Sequence, residues 1–221
     1  VTENVYVSGN LDADTSTFQQ LQSLSSFTTG DGVVASGSTE INDLAQTTTD
    51  FVAGDQITFD IITNDGSPQT VNYTYAAGDT LDDLVAQLNT ALSPGEANVE
   101  LNDGVLEIRS TQLGDSQLTV SDINMGGTGQ LTLNGFEIAQ SGITGTQTMT
   151  TTIYDGLGRE HTLIIDYTQS SANVWDYEIS FLDGEQVTSG ETGQLIFDEA
   201  GNLTSDNTLP VDFDPGNGAS P

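Results

Sequence analysis

His161 is the single histidine of the 221-residue chain and the first residue whose type could support chemistry. A histidine in a cleft can act as a general base or bind a metal ion. The chain has no cysteine and no second histidine, and it lacks a serine-nucleophile motif that would complete such a site. The sequence therefore favours a structural role for His161, as a strand residue beside a turn, and predicts no catalytic, cofactor-binding or metal-binding residue and no cofactor.

The 33 acidic residues could in principle supply the two carboxylates of a glycoside hydrolase or the ligands of a calcium ion. A hydrolase needs two carboxylates that converge in a cleft, and the spacing singles out no pair. Residues 12–14 and 212–214, each with the pattern Asp-x-Asp, offer only the first fragment of a calcium loop. The glycine and the distal glutamate that complete such a loop are missing.

Trp175 could stack on a sugar ring, but its surroundings predict a core position. Trp175, Tyr177, Ile179 and Phe181 alternate with polar residues along one stretch. Strict alternation is typical of a strand with one buried and one solvent-exposed face. Because Trp175 shares its face with three apolar residues, the sequence favours burial over a binding platform.

The charge of the chain is extreme, with a formal net charge of -31 and a pI of about 4.1. The only basic side chains besides His161 are Arg109 and Arg159, so binding to nucleic acid or to an anionic membrane surface is excluded. Two interpretations of the acidity remain: a solvated, self-repelling surface suited to a salty environment, which the sequence favours, or binding of divalent cations. The lack of cysteine fits an exported protein that crosses a channel unfolded.

The elements that must position these residues are mostly short strands between turns rich in Gly, Asn and Asp. The alternating residues 57–61 and 71–75 predict two strands of a hairpin, joined by an Asp-Gly turn at 63–68. Further strands are predicted at 99–101, 105–108 and 117–120.

One helix interrupts this pattern, at about residues 80–92. Thr80 is the predicted N-cap, and Asp82 and Asp83 lie in the first turn, where the helix dipole favours negative charge. One apolar stripe is predicted to face the core; it consists of Leu81, Leu84, Val85, Leu88 and Leu92. The stretch Ser-Pro-Gly at 93–95 ends the helix.

Three segments in order resemble the middle of the bacterial flagellar hook protein. Residues 153–161 (IYDGLGREH) contain its turn pattern Y-D-x-x-G-x-x-H, residues 173–177 (NVWDY) its tryptophan strand, and residues 195–203 (LIFDEAGNL) its L-x-F-x-x-x-G-x-L hairpin. The residues that carry the resemblance are Tyr154, Asp155, Gly158, His161, Trp175, Phe197, Gly201 and Leu203. Gly156 and Arg159 depart from the usual pattern, but both are turn positions, so the fold inference survives.

A second block, at about residues 54–120, resembles the small insertion module of flagellins and hook-associated proteins. Its signature here is D-T-L-D-D-L at 79–84, followed by the hairpin at 99–108. The motif residues are Thr80, Leu81, Leu84, Val99, Gly104 and Leu106. The physical unit is a helix whose apolar stripe covers one face of a small antiparallel sheet.

Together these motifs predict a mainly β fold: an antiparallel β-sandwich or barrel-like domain with an inserted small β-rich lobe that contains one helix. Residues 4–11 resemble the strand that opens the outer domain of the hook protein, whose other motifs resume only at 148. We therefore expect a discontinuous outer domain at 1–31 plus 143–221, and an inserted module at 32–142. Gly-rich linkers are predicted at 30–32 and 141–145.

The resemblance implies a structural, non-enzymatic subunit of the hook, the extracellular universal joint that transmits motor torque to the filament. It further implies export without a cleaved signal peptide and helical assembly with neighbouring hook subunits, through regions partly missing here. The chain reads as a middle piece of a longer protein, so the isolated fragment is expected to be monomeric. The alternative is a secreted, adhesin-type β module that binds calcium or glycans.

Overall fold

The computed structural model describes residues 3–6, 16–92, 95–205, 208–216 and 218. Within them lie one α-helix, α1 (Leu81–Ala91), and a short 3-10 helix at Ile41–Asp43. The strands are β1 (Glu3–Tyr6), β2 (Phe18–Ser23), β3 (Thr47–Thr49), β4 (Gln56–Ile62), β5 (Pro68–Thr74), β6 (Ala97–Asn102), β7 (Val105–Leu113), β8 (Thr119–Gly126), β9 (Gln130–Leu131), β10 (Phe136–Gln140), β11 (Thr146–Tyr154), β12 (Glu160–Ser171), β13 (Val174–Phe181), β14 (Gln186–Ser189), β15 (Thr192–Ile196) and β16 (Thr208–Asp214).

The prediction of a mainly β, antiparallel fold is confirmed. The barrel-like alternative is not, because the sheets of the described ranges do not close into a barrel. Strand β1 covers the first part of the predicted opening strand at 4–11, and the rest of that strand lies outside the described residues. So do the Asp-x-Asp stretch at 12–14 and the first two residues of the predicted helix stop.

The chain divides into two compact units, and each is described separately. Unit 1 comprises residues 1–17 and 144–221, and unit 2 comprises residues 18–143. Strand β2 belongs to unit 2 because it pairs with β7 and β10. Residues 18–31, which the sequence motifs assigned to the outer domain, therefore lie in unit 2. The turn at 30–32 also closes within unit 2, since Thr29 N–H donates to Val33 O.

Unit 1 contains two antiparallel sheets, with strand orders β11-β12-β13-β15 and β1-β16-β14. The predicted alternation in β13 is confirmed, since Trp175, Ile179 and Phe181 are buried and Tyr177 packs against the same core. Val211 and Phe213 on β16 belong to this core as well. The two sheets therefore share one hydrophobic core, as in a sandwich.

Unit 2 has a larger core, enclosed by the sheets β10-β2-β7-β6, β5-β4-β8 and β3-β9 and by α1. The predicted hairpin strands form β4 and β5, which pair in register from Gln56 and Thr74 to Ile62 and Pro68. Four residues of the predicted stripe are at most 1% exposed: Leu81, Leu84, Leu88 and Leu92. The fifth, Val85, is only partly buried and packs against the same core. Residues 121–140, which carried no motif, complete unit 2 with most of β8 and with β9 and β10.

The start of α1 follows from its first four residues. Thr80 precedes the helix in an extended conformation, and the Asp83 carboxylate accepts hydrogen bonds from its N–H (2.9 Å) and its hydroxyl (2.8 Å). These bonds lower the pKa of Asp83. Its negative charge lies in the first turn, where the helix dipole favours it.

The turn between β6 and β7 needs glycine for two reasons. Asp103 and Gly104 both have positive φ (46° and 75°), as expected for an Asp-Gly hairpin turn. A Cβ at Gly104 would also lie 2.6 Å from Phe27 O.

No helix in the described ranges has the length and apolar character needed to cross a membrane.

Candidate functional site

The most unusual polar cluster of unit 1 joins His161 to two carboxylates. Asp155 follows β11, His161 lies in β12, and Glu185 lies between β13 and β14. The Nδ1 atom of His161 is 2.6 Å from Glu185 Oε1, and its Nε2 atom is 3.4 Å from Asp155 Oδ2. His161 and Asp155 are only 6% exposed and Glu185 is partly buried, so the cluster has little contact with solvent.

Asp155 also organises the turn that precedes His161. Its Oδ1 accepts hydrogen bonds from the N–H groups of Leu157 (2.8 Å) and Arg159 (2.9 Å), and its own N–H donates to Arg159 O. Gly158 supplies the positive φ of 78° that closes the turn. The spacing Asp-x-x-Gly-x-x-His therefore has a physical cause, because one carboxylate holds the turn and also faces the histidine.

Glu185 and Asp155 favour the charged form of His161. The hydrogen bond with Glu185 is the main cause that raises the pKa of His161, burial opposes it, and Asp155 adds a smaller increase. The same hydrogen bond lowers the pKa of Glu185. The Glu185 contact is the stronger one, because the Nε2 atom of His161 makes no well-aligned hydrogen bond in the described part of the chain.

Packing further encloses the cluster. The Phe213 ring meets the imidazole edge-to-face, with ring centroids 5.3 Å apart, and also packs against Phe181 at 4.6 Å. A buried imidazole held between two carboxylates and an aromatic ring can fix the positions of two turns. It offers no adjacent nucleophile, and among the described residues no group of three or more His, Cys, Asp or Glu could hold a metal ion.

The other hook-motif residues do not join His161 in one site. Trp175 lies in the core of unit 1, and Phe197 and Leu203 pack against that core and bridge to each other. Gly201 has a φ of 79° in the turn between them. Tyr154 is 56% exposed, and its hydroxyl donates to Glu160 at 3.2 Å.

The residues of the insertion-module motif build one structural unit in unit 2. Thr80 precedes α1, Leu81 and Leu84 belong to its buried stripe, Val99 and Leu106 are buried on β6 and β7, and Gly104 occupies the turn between these strands. Each of them therefore lies in the core of unit 2, at the start of α1 or in a turn.

Sequence reasoning missed the side chains that clamp unit 2. Asn89 on α1 accepts from Val99 N–H and donates to Val99 O, both at 2.7 Å, and thus acts as a neighbouring strand for β6. Asn64 accepts from the hydroxyls of Ser110 and Ser116. Asp55 accepts from the N–H groups of Val52, Thr128 and Gly129, and these bonds lower its pKa.

Three pairs of like charges lie directly opposite each other on neighbouring strands. They are Asp60 and Asp122, Glu100 and Glu107, and Asp166 and Glu178. Arg109 lines the same surface depression as Glu100 and Glu107, and its guanidinium stacks on the Phe18 ring at 4.4 Å from the centroid. Facing carboxylates destabilise a sheet unless salt screens them.

These features define a β-rich chain whose described motif residues mostly hold turns or fill its two cores. Residues 127–220 match the family described as the flagellar basal body protein FlaE D2 domain. The match confirms the predicted resemblance to the flagellar hook protein, a structural component of the extracellular flagellum. Members of such a family assemble with neighbouring hook subunits into a polymer. No curated protein and no solved structure matches the chain.

Proposed function

We propose that the chain is the outer, surface-exposed part of a hook subunit, and that it serves a hook that transmits motor torque to the filament. The observation that carries this proposal is the family match at 127–220, which includes the turn of Asp155 and His161. The motif residues support a mechanical role because most of them fix a turn or fill a core, with Tyr154 as the exposed exception. Export without a cleaved signal peptide and assembly through regions outside this chain belong to the same proposal.

The domain organisation is part of the proposal. A discontinuous outer domain, which the sequence motifs put at 1–31 plus 143–221, would carry the hook motifs, and a module would be inserted in its sequence at about 32–142. The compact units at 1–17 with 144–221 and at 18–143 support an insertion of this kind, with the first junction nearer residue 17. The motif roles of His161, Trp175 and the α1 residues are proposed as structural.

The test is immunogold electron microscopy of flagellated source cells with antibodies raised against unit 2. We expect gold on the short curved segment between cell body and filament. Labelling scattered over the cell wall, or absent from flagella, would overturn the hook assignment. The adhesin alternative predicts a clear thermal shift of this chain with calcium or glycans, and the hook proposal predicts none.

A further inference from the structure

Strand β11 forms an edge of the β11-β12-β13-β15 sheet, and it is nine residues long. Gly145 O accepts from Gln169 N–H, and Asp155 N–H donates to Arg159 O, so odd-numbered residues of β11 bond to β12. Backbone groups alternate in direction along an antiparallel strand. The N–H and C=O groups of the even-numbered residues therefore point away from β12; these residues are Thr146, Thr148, Thr150, Thr152 and Tyr154.

This edge lacks the usual protection against pairing. Exposed strand edges are normally blocked by charges, proline, bulges or a covering element. The register between β11 and β12 runs without a bulge, and residues 138–154 form the longest stretch of the chain without a charged side chain or proline. The next longest such stretch, at 15–30, contains β2, which is paired on both sides with β7 and β10. Met149 and Tyr154 also expose apolar surface along the strand.

Several other sheet edges in the described ranges are protected. Helix α1 covers two edges in unit 2, because Asn89 binds both backbone groups of Val99 on β6 and Gln87 accepts from Thr74 N–H on β5. Strands β8 and β10 carry Asp122 and Glu137.

The opposite edge of the unit 1 sheet is occupied as well. Ile196 on β15 accepts from Thr204 N–H at 2.7 Å, and its own N–H donates to the Ser205 hydroxyl at 3.1 Å. The remaining described edges, β1, β3, β9 and β14, have at most four residues each. Among the longer described edge strands, β11 is thus the one left open.

We propose that β11 is a docking edge for an uncharged extended strand of a second copy of this chain. Self-repulsion limits where two such acidic molecules can meet, and β11 is an edge that carries no carboxylate of its own. At β11 the outward backbone groups supply hydrogen bonds, and the threonine side chains suit cross-strand pairing. The inference rests on the proposed function for its setting, a polymer of subunits, but its test needs only this chain. It adds a contact within this chain to the assembly regions proposed outside it, and it replaces the expectation of a monomer where protein is concentrated and salt screens the repulsion.

The test combines sedimentation equilibrium with amide hydrogen exchange in salt of about 1 M, where the screening length is about 3 Å. In dilute protein, the odd-numbered amides of β11 should be protected and the even-numbered ones should exchange rapidly. In concentrated protein, the amides of Thr148, Thr150 and Thr152 should slow at least tenfold, together with one uncharged strand of the partner copy. A chain that stays monomeric in concentrated, screened solution would overturn the inference.

Matched variants locate the contact. Thr150→Pro removes an outward N–H and leaves the β12 ladder bonds in place, and Thr150→Glu adds a charge to the edge. Both should weaken association at least tenfold. Thr150→Val and the exposed-strand control Thr49→Glu should change it less than twofold. Trp175 fluorescence reports whether unit 1 remains folded in each variant.

Association that is insensitive to Thr150→Pro and Thr150→Glu in folded protein would contradict docking at β11. Hook labelling without any effect at β11 would leave the proposed function intact and remove this inference. Association through β11 without hook labelling would support docking at β11 and overturn the hook assignment, so the two failures are distinguishable.

Discussion

Unit 1 and unit 2 are held by different kinds of polar contact. In unit 1 an ionic cluster of Asp155, His161 and Glu185 joins two turns, whereas in unit 2 the neutral amide of Asn89 binds helix to strand. An ionic cluster depends on protonation and an amide clamp does not. The contrast teaches that two β-rich units of one chain can respond differently to the same change of solution conditions.

The largest expected effect that separates the two units comes from His161→Ala. It leaves the Asp155 and Glu185 carboxylates desolvated without their partner, which costs about 2–4 kcal/mol in the free energy of unfolding. Urea unfolding followed by Trp175 fluorescence measures this loss in unit 1. Unit 2 amides should keep their exchange protection, and equal losses in both units would contradict the comparison.

Asn89→Ala is the counterpart in unit 2. It removes two hydrogen bonds of 2.7 Å and leaves Val99 N–H and C=O without their partner on α1, which costs about 1–3 kcal/mol. Hydrogen exchange of α1 and β6 measures the effect, and it should be the same at pH 7 and pH 9. Thr90→Ala, at an exposed position of the same helix, is the control and should cost less than about 0.5 kcal/mol.

A change of pH alone should separate the units without any mutation. The pKa of His161 is raised above its ordinary 6.5 on folding, so its contribution is fully present below pH 6.5 and is lost as pH rises through the raised value. Glu185 has a lowered pKa, so its contribution is present above about pH 4.5 and is lost as pH falls through the lowered value.

Unit 1 should therefore lose stability as pH rises above 6.5. Unit 2 should not, because its shifted carboxylates Asp55, Asp65 and Asp83 are already ionised there. Thermal unfolding followed at Trp175 measures the slope for unit 1, and exchange of the β4 amides measures it for unit 2. The variant His161→Gln should remove the slope. A slope that persists in this variant would show that another group is responsible.

The sequence alone predicts the elements of both units better than their contacts. The stripe of α1 and the alternation in β13 are periodic, so their buried faces follow from local residue order. The polar contacts that hold the units together follow no sequence period. Asn89 and Val99, or His161 and Glu185, meet only because the fold brings residues from different elements together. The sequence does not indicate which of the many polar residues will pair.

The assignment of residues 18–31 illustrates the same limit. The motif at 4–11 and the Gly-rich stretch at 30–32 suggested one continuous segment of the outer domain. Strand β2 instead pairs with β7, with Leu21 opposite Ile108. Strand pairing over such a separation in sequence depends on the whole sheet, which local composition does not encode.

Salt should affect the two units in the same direction but by different amounts, which is the smallest expected difference. Glu178→Gln in unit 1 and Glu100→Gln in unit 2 each remove one charge from a like-charged cross-strand pair. In low salt, each should stabilise its unit by about 0.2–1 kcal/mol. The gain should be larger for Glu178→Gln, because Arg109 already moderates the repulsion beside Glu100.

Denaturant unfolding in low salt and in about 1 M salt measures both gains in stability, and these gains should disappear when the charges are screened. Glu199→Gln, an equal charge change in an exposed turn, is the control; if it stabilised unit 1 as much as Glu178→Gln does, net charge rather than strand pairing would be the cause.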